Sequence, residues 1–170
     1  FSNSVNASTY AGAIVDAVSG GTRKVNVTVA GGTLTLTGTN TYSGVTIVTN
    51  SGSKLVATTK QTGGGAFTVF DGAHLAVTVA SSNASLNVSA LTLGASSAHS
   101  GTLTLNFGSL GNPTNAPITA ASLSATGTVA INITGSGLLL GQFPLIKYSG
   151  TIGGAGFGAF AKGSLPAGVA

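Results

Sequence analysis

The chain has 170 residues, of which 42% are hydrophobic and only 5% are charged, and its six cations and two acids give a net charge of +4. Only two carboxylates are present for any paired acid–base site, and the cations are too dispersed for the clustered basic surface that nucleic-acid binding needs. Cysteine is absent, which excludes a disulfide framework, and no apolar run approaches the ~20 residues of a membrane helix.

Short segments of alternating apolar and polar residues follow one another along the chain. Residues 9–18 could form a short helix, but Gly12 and the β-branched residues favour a strand. From residue 25 onward the alternation is typical of half-buried strands, and Gly, Asn or Ser clusters separate most of them. The predicted strands are 25–29, 33–37, 45–49, 54–58, 67–70, 75–79, 86–88, 90–93, 102–107, 122–125 and 128–134.

Two further segments differ from this pattern. Residues 111–117 contain two prolines and two asparagines, which predicts a loop that protrudes from the fold without dividing it. Residues 151–170 form a glycine-rich terminal segment with Phe157 and Phe160. The same composition continues on both sides of the loop, so we predict one domain over 1–170.

Recurring residues indicate how the strands are arranged. The sequence Gly-Thr-Leu-Thr-Leu occurs at 32–36 and again at 101–105. Leucines at 34, 55 and 75 lie about 20 residues apart, as do Leu103, Leu123 and Phe143, and this is the range of stacked solenoid repeats. The recurrence predicts an all-β parallel solenoid with rungs, meaning single turns of the coil, of about 20 residues. Strand spacings of about 9 to 12 residues also fit a β-sandwich, which stays open as the alternative.

Residues 26–57 contain a more specific pattern, built from Gly32, Leu34, Leu36, Gly38, Asn40, Tyr42, Gly44, Thr46, Gly52 and Leu55. It resembles the autotransporter-associated β-strand repeat, whose motif reads Gly-Thr-Leu-x-Leu-x-Gly-x-Asn-x-Tyr-x-Gly-x-Thr and is followed by a Gly-x-Leu strand. The resemblance implies a right-handed parallel β-helix in a bacterial secreted or outer-surface protein. Because the chain begins at Phe1 and lacks methionine, we expect a processed piece or fragment of a longer secreted protein.

The residues of this motif have structural roles in a solenoid. We predict that Leu34 and Leu36 point inward between outward-facing threonines. Asn40 suits a turn or a stacked amide ladder, and the ring of Tyr42 should pack across a corner. The glycines at 32, 38 and 44 are predicted to form corners with positive φ.

Few residues could carry out chemistry. Asp16 and Asp71 are separated by more than two predicted rungs, so a catalytic pair is not expected. His74 should face solvent, and His99 lies in a predicted loop. Metal-ligand spacing is missing, and the glycines at 63–65 lack both the aspartates of calcium-binding repeats and a following Gly-Lys-Thr. We therefore expect no enzymatic activity, no cofactor, no bound metal and no nucleic-acid partner.

Two functions fit these observations. The first is an extracellular structural or adhesive module, because a solenoid has open strand edges at its ends that can pair with another chain. Such a module would form a homo-oligomer, associating end to end and extending into filaments. The alternative is a carbohydrate-binding surface module for cell-surface or matrix glycans, with Tyr42, Tyr148 or Phe157 exposed to stack on sugars.

Overall fold

A computed structural model describes residues 1–3, 6–16, 21–98 and 100–167. Over these ranges the chain winds into a parallel β-solenoid of about five turns. Strands pair in the parallel sense throughout the described part of the chain, in contrast to the antiparallel sheets of a sandwich. The predicted parallel solenoid is therefore confirmed, and the sandwich alternative is wrong.

The strands lie in three sheets that form the walls of the coil. Sheet A contains β1 (Ala7–Tyr10), β3 (Thr33–Leu36), β5 (Lys54–Thr58), β7 (His74–Thr78), β10 (Ser100–Asn106), β13 (Thr128–Thr134) and β16 (Phe160–Lys162). Sheet B contains β2 (Val27–Val29), β4 (Thr46–Val48), β6 (Phe67–Val69), β9 (Leu91–Leu93), β12 (Leu123–Ala125) and β15 (Gly153–Gly154). Sheet C contains β8 (Leu86–Val88), β11 (Ile118–Ala120) and β14 (Ile146–Tyr148), and a 3₁₀ turn spans Gly156–Ala159.

Alternation of side chains explains why these segments form strands. In β3 the two leucines are buried and the two threonines are partly exposed, as the sequence predicts. The predicted strands 54–58, 86–88 and 128–134 coincide with β5, β8 and β13, and the others from residue 25 onward differ by one or two residues at their ends. Within 9–18 the structure has only the end of β1, and residues 17 and 18 lie outside the described residues.

The strand register confirms one of the two recurrences and corrects the other. Leu34 pairs with Leu55, and Leu55 pairs with Leu75, which gives rungs of 21 and 20 residues. In contrast, Leu103 stacks between Leu75 and Ile131, each 28 residues away. Leu123 belongs to sheet B of the same rung as Leu103, and Phe143 lies outside the strands. The spacing of Leu103, Leu123 and Phe143 therefore does not mark stacked rungs, because each C-terminal rung contains a third strand.

The coil accordingly has two parts of different width. We call residues 33–73 the narrow rungs, since each has strands in sheets A and B, and residues 74–155 the wide rungs, since each has strands in all three sheets. The predicted loop at 111–117 belongs to a wide rung and is hydrogen bonded to both neighbouring rungs. Asn83 Oδ1 accepts a hydrogen bond from the Thr114 amide at 2.9 Å, and Asn112 Oδ1 accepts one from the Leu139 amide at 2.9 Å.

A continuous hydrophobic core fills the interior of both parts. Tyr42 and Phe67 are its largest fully buried side chains in the narrow rungs, and Phe107 is the largest in the wide rungs. Phe143, which sits in the loop before β14, packs edge-on against Phe107 with ring centroids 5.9 Å apart. This core runs along the coil axis, so the sheets enclose its sides. At each end only side chains and loops of the terminal rungs can cover it.

Candidate interaction surface

The two carboxylates lie in different rungs, where each holds neighbouring segments of the coil together. Asp16 accepts hydrogen bonds from the Ser43 hydroxyl at 2.6 Å, the Val25 amide at 2.9 Å and the Ser43 amide at 3.0 Å. These bonds, the one from the Ser43 hydroxyl most of all, lower the pKa of Asp16. Asp71, in a different rung, accepts bonds from the Ala95 amide at 2.7 Å and the Ser96 hydroxyl at 2.6 Å.

The histidines contribute no cluster of ligands. His74 lies on the outer face of sheet A, where it alternates with buried Leu75 and is half-buried itself. Partial burial lowers its pKa, and the neighbouring Lys54 ammonium lowers it further. His99 lies outside the described residues. Over the ranges that the structure describes, no group of three metal-ligating side chains occurs.

The glycines of the predicted motif act in two different ways. Gly32 has a φ of 62°, as predicted, and Gly52 has a φ of 82°, which makes it a further corner of this kind. Gly38 and Gly44 do not have positive φ, and that prediction is wrong for them. They are required for close approach instead, because a Cβ at Gly38 would collide with the Gly12 carbonyl oxygen and one at Gly44 with the Val25 carbonyl oxygen.

Asn40 and Tyr42 are both buried components of the narrow rungs. Asn40 Oδ1 accepts a hydrogen bond from the Ile14 amide at 2.8 Å and thereby connects two rungs. Tyr42 is fully buried, and its hydroxyl lies 2.8 Å from the hydroxyl of the equally buried Thr46. Burial raises the pKa of Tyr42, and the hydrogen bond with Thr46 offsets part of that rise. Because Tyr42 has no exposed surface, the prediction that it stacks on glycans is wrong.

Asparagine side chains connect successive rungs at several corners, a role that the sequence did not reveal. Asn26 Oδ1 accepts a bond from the Val45 amide at 2.9 Å, and Asn50 Nδ2 donates to the Ala30 carbonyl at 2.7 Å. Asn132 Oδ1 accepts a bond from the Ser164 amide at 2.7 Å. The only sequence signal was the position of these asparagines, since Asn26 and Asn132 lie within predicted strands and Asn50 directly follows one. Many of the polar side chains therefore form hydrogen bonds between rungs and hold the coil together.

The C-terminal end of the coil differs from its sides because the described residues leave a cavity in the core there. Sheet A continues to β16, whereas β14 and β15 are the outermost described strands of sheets C and B, so the end is stepped. A cavity of about 470 Å³ lies in this step. Its lining is almost entirely apolar and consists of Leu123, Ile131, Ile133, Leu145, Ile146, Tyr148, Ile152, Phe157, Phe160, Ala161, Lys162 and Leu165. We call this surface the open end.

Large apolar side chains are exposed in the last part of the coil. Phe157, which lines the cavity, is 79% exposed and lies with its ring centroid 6.2 Å from that of Phe160. Leu139 and Leu140, in the loop between β13 and β14, are 71% and 75% exposed. An apolar cavity with an exposed aromatic side chain beside it is typical of interaction sites.

The N-terminal end is covered to a greater extent. The inward positions of β1 are occupied by Ser8 and Tyr10, which pair with Leu34 and Leu36. The phenol of Tyr10 folds back against Gly12, and both leucines beneath are buried. Phe1, Tyr10 and Val15 are 41%, 45% and 43% exposed at this end, whereas Leu34 and Leu36 of the next strand are buried.

Comparison with known proteins finds no match: no protein family, no curated protein and no solved structure matches this chain. The resemblance of residues 26–57 to the autotransporter-associated repeat therefore stays a prediction, and so does the right-handed sense that it implies. In the described ranges, no helix has the length and apolar character that crossing a bilayer requires.

Proposed function

We propose that this protein is a non-enzymatic structural and adhesive module that associates with further copies of itself through the open end. The observation that carries the proposal is the apolar cavity at the C-terminal end, which the described residues do not cover. Burying a large apolar side chain contributes about 1.5 to 3 kcal/mol, so covering this surface favours association. Within the described ranges no further strand pairs with the outer edges of β14, β15 and β16, and these edges offer backbone hydrogen bonds to a partner at the same place.

The absence of enzymatic activity is part of the proposal. It is supported by the roles of Asp16 and Asp71, whose carboxylates accept hydrogen bonds from backbone amides and serine hydroxyls of other segments of the coil. An extracellular or bacterial outer-surface location also belongs to the proposal. The low charge and the resemblance of residues 26–57 to a secreted repeat support it.

Carbohydrate binding is the second candidate, and one observation favours it. Tyr148, 39% exposed, and Phe157, 79% exposed, line the same cavity, and aromatic faces can stack on sugar rings. This candidate would use the open end for a cell-surface or matrix glycan instead of a second copy. A glycan array distinguishes the two, since a specific glycan that binds through Phe157 would favour carbohydrate recognition.

The self-association is tested by light scattering coupled to size-exclusion chromatography over a range of protein concentrations, together with electron microscopy. We expect assemblies larger than a monomer, and we expect Phe157→Asp to weaken association at least about tenfold because it places a charge in the apolar contact. Phe70→Asp is the matched control, since Phe70 is 38% exposed in a corner away from either end. Monomers at every concentration would overturn the proposal.

A further inference from the structure

We infer that the interior of the narrow rungs binds a water molecule between the Gln61 amide and the hydroxyl groups of Tyr42 and Thr46. The three side chains are uncharged and buried, and they belong to two successive rungs. The water connects these rungs from inside the core, as asparagine side chains connect rungs at the corners. This inference concerns the interior of the coil and does not depend on the proposed self-association.

The first observation is the side-chain amide of Gln61. The residue is 1% exposed, and neither its Nε2 nor its Oε1 has a hydrogen-bond partner among the described residues. An amide side chain can donate two hydrogen bonds and accept two. Leaving such a group unpaired in the core costs the free energy of its desolvation, so buried amides are normally bonded to a protein group or to an enclosed water.

Comparison with Asn40 explains why the chain itself does not satisfy this amide. The register that pairs Leu34 with Leu55 places Gln61 at the position of Asn40 in the next rung. Asn40 Oδ1 accepts a hydrogen bond from the Ile14 amide at 2.8 Å, and its Nδ2 donates to a backbone carbonyl at 3.2 Å. Glutamine is one methylene longer than asparagine, so its amide extends beyond the backbone and into the interior.

The second observation is the pair of hydroxyl groups near this amide. The hydroxyls of Tyr42 and Thr46 lie 2.8 Å apart, and both residues are fully buried. The Gln61 amide lies close enough to the Tyr42 hydroxyl to offset part of the rise in the pKa of Tyr42, yet the amide has no direct hydrogen bond. Polar groups that approach each other in this way without a direct bond are commonly bridged by water.

The donors and acceptors of the cluster match those of a water molecule. In the pair formed by Tyr42 and Thr46 one hydroxyl donates to the other, so one hydroxyl hydrogen is not used within the pair. Gln61 adds the two N–H donors of Nε2 and the acceptor Oε1. A water molecule can accept from the remaining hydroxyl and from Nε2 and donate to Oε1, which gives it the number of partners that buried waters have.

The chemistry of the cluster selects water over an ion. The three side chains are uncharged, and the carboxylates of Asp16 and Asp71 accept hydrogen bonds at other places in the coil. An ion enclosed by uncharged groups alone would lose its hydration without gaining an opposite charge, which costs much free energy. A larger polar solute would need an opening to the surface, which side chains with an exposure of 1% or less do not provide.

Two measurements test the site. A crystal structure of the unchanged protein at high resolution should show density within hydrogen-bond distance, about 2.7 to 3.2 Å, of both the Gln61 amide and the Tyr42 hydroxyl. In solution, magnetic relaxation dispersion of water oxygen-17 counts the long-lived internal waters of the unchanged protein and of Gln61→Met, which keeps the side-chain length and removes its polar amide. Gln142→Met is the matched control, because Gln142 is the other glutamine of the chain and is exposed.

We expect Gln61→Met to lose about one long-lived internal water relative to the unchanged protein and Gln142→Met to lose none. A folded Gln61→Met with the same number of internal waters as the unchanged protein would overturn the inference. So would a crystal structure in which the Gln61 amide bonds directly to the Tyr42 hydroxyl with no density between them. If Gln61→Met does not fold, the crystal structure of the unchanged protein decides between a bridging water and a direct bond.

Discussion

The narrow and wide rungs enclose one continuous core but differ in how often their backbones approach closely at glycines. In the narrow rungs the backbones approach so closely that a Cβ at Gly63 would collide with the Tyr42 carbonyl oxygen. In the wide rungs three walls enclose the space, and a Cβ at Gly141 would meet only Asn112 Nδ2 at 3.5 Å, an ordinary contact. The core there is filled by large side chains such as Phe107 and Leu103. A Cβ would collide with a neighbouring carbonyl oxygen at Gly38, Gly44, Gly63 and Gly65 of the narrow rungs and at Gly135 and Gly154 of the wide rungs. Close approach at glycines is therefore more common in the narrow part, while large side chains fill the core of both parts.

This difference in width also separates the two ends of the molecule. The N-terminal end begins with strands in two walls, and Ser8 and Tyr10 occupy the inward positions of its first strand. The wide end has three walls around an apolar cavity of about 470 Å³. A wider cross-section exposes more core when it is not covered, so the difference in width explains why association is proposed at one end and not at the other.

The largest effect on stability is expected for Gly63→Ala. The new methyl group would overlap the Tyr42 carbonyl oxygen of the neighbouring rung, so the backbone itself must move. We expect a loss of at least about 4 kcal/mol in the free energy of unfolding, measured by chemical denaturation. Gly141→Ala is the control from the wide rungs and should change this free energy by less than about 0.5 kcal/mol. Equal effects at the two sites would contradict the distinction between the two parts.

Leu103→Ala tests the wide rungs in the same way. Leu103 is fully buried between Leu75 and Ile131, so its truncation leaves a cavity in the core. We expect the free energy of unfolding to fall by about 3 kcal/mol. Leu140→Ala, at a position that is 75% exposed, should be nearly neutral. A wide core that tolerates Leu103→Ala would show that the three walls do not depend on large side chains.

A smaller effect is expected for Tyr42→Phe in the narrow rungs. The substitution keeps the ring in the core but removes the hydroxyl that lies 2.8 Å from Thr46 Oγ1. Because Thr46 is buried, its hydroxyl is left without this partner, and we expect a loss of about 1 to 2 kcal/mol. Tyr148→Phe, at an exposed position of β14, serves as the control and should leave thermal and chemical unfolding unchanged.

The smallest effect is expected at the carboxylate of Asp16 near the N-terminal end. Its pKa is lowered in the folded protein, so its contribution to stability is complete above the ordinary value of about 3.9. That contribution is lost as the pH falls through the lowered value, because the unfolded chain then binds the proton more readily. Asp16→Asn should therefore flatten the acid side of a stability–pH curve.

Ser43→Ala is a milder companion to the Asp16 substitution, since it removes only the hydroxyl donor and leaves the carboxylate and the Ser43 amide in place. It should shift the acid decline part of the way toward that of Asp16→Asn. If the free energy of unfolding falls at low pH in both variants as it does in the unchanged protein, the Asp16 carboxylate does not stabilise the N-terminal end.

The sequence was sufficient to predict most of the strands between residues 25 and 134 and the parallel solenoid, because alternation of side chains is a local property of an extended chain. The stacking of Leu34, Leu55 and Leu75 could also be predicted, since short corners left little choice of partner. The resemblance to a repeat family located the buried residues of the motif, although nothing in the sequence distinguished Gly38 and Gly44 from true corners.

The width of the C-terminal rungs was decided by tertiary pairing alone. The strands Ile118–Ala120 and Ile146–Tyr148 have three residues each, too few to show a period, and they form because each pairs with a strand of the neighbouring rung. Close approach at Gly38 and the openness of the C-terminal end are likewise relations between rungs. The pattern of a sequence indicates whether a side chain points inward or outward. Which neighbour that side chain contacts depends on the number of residues in each rung.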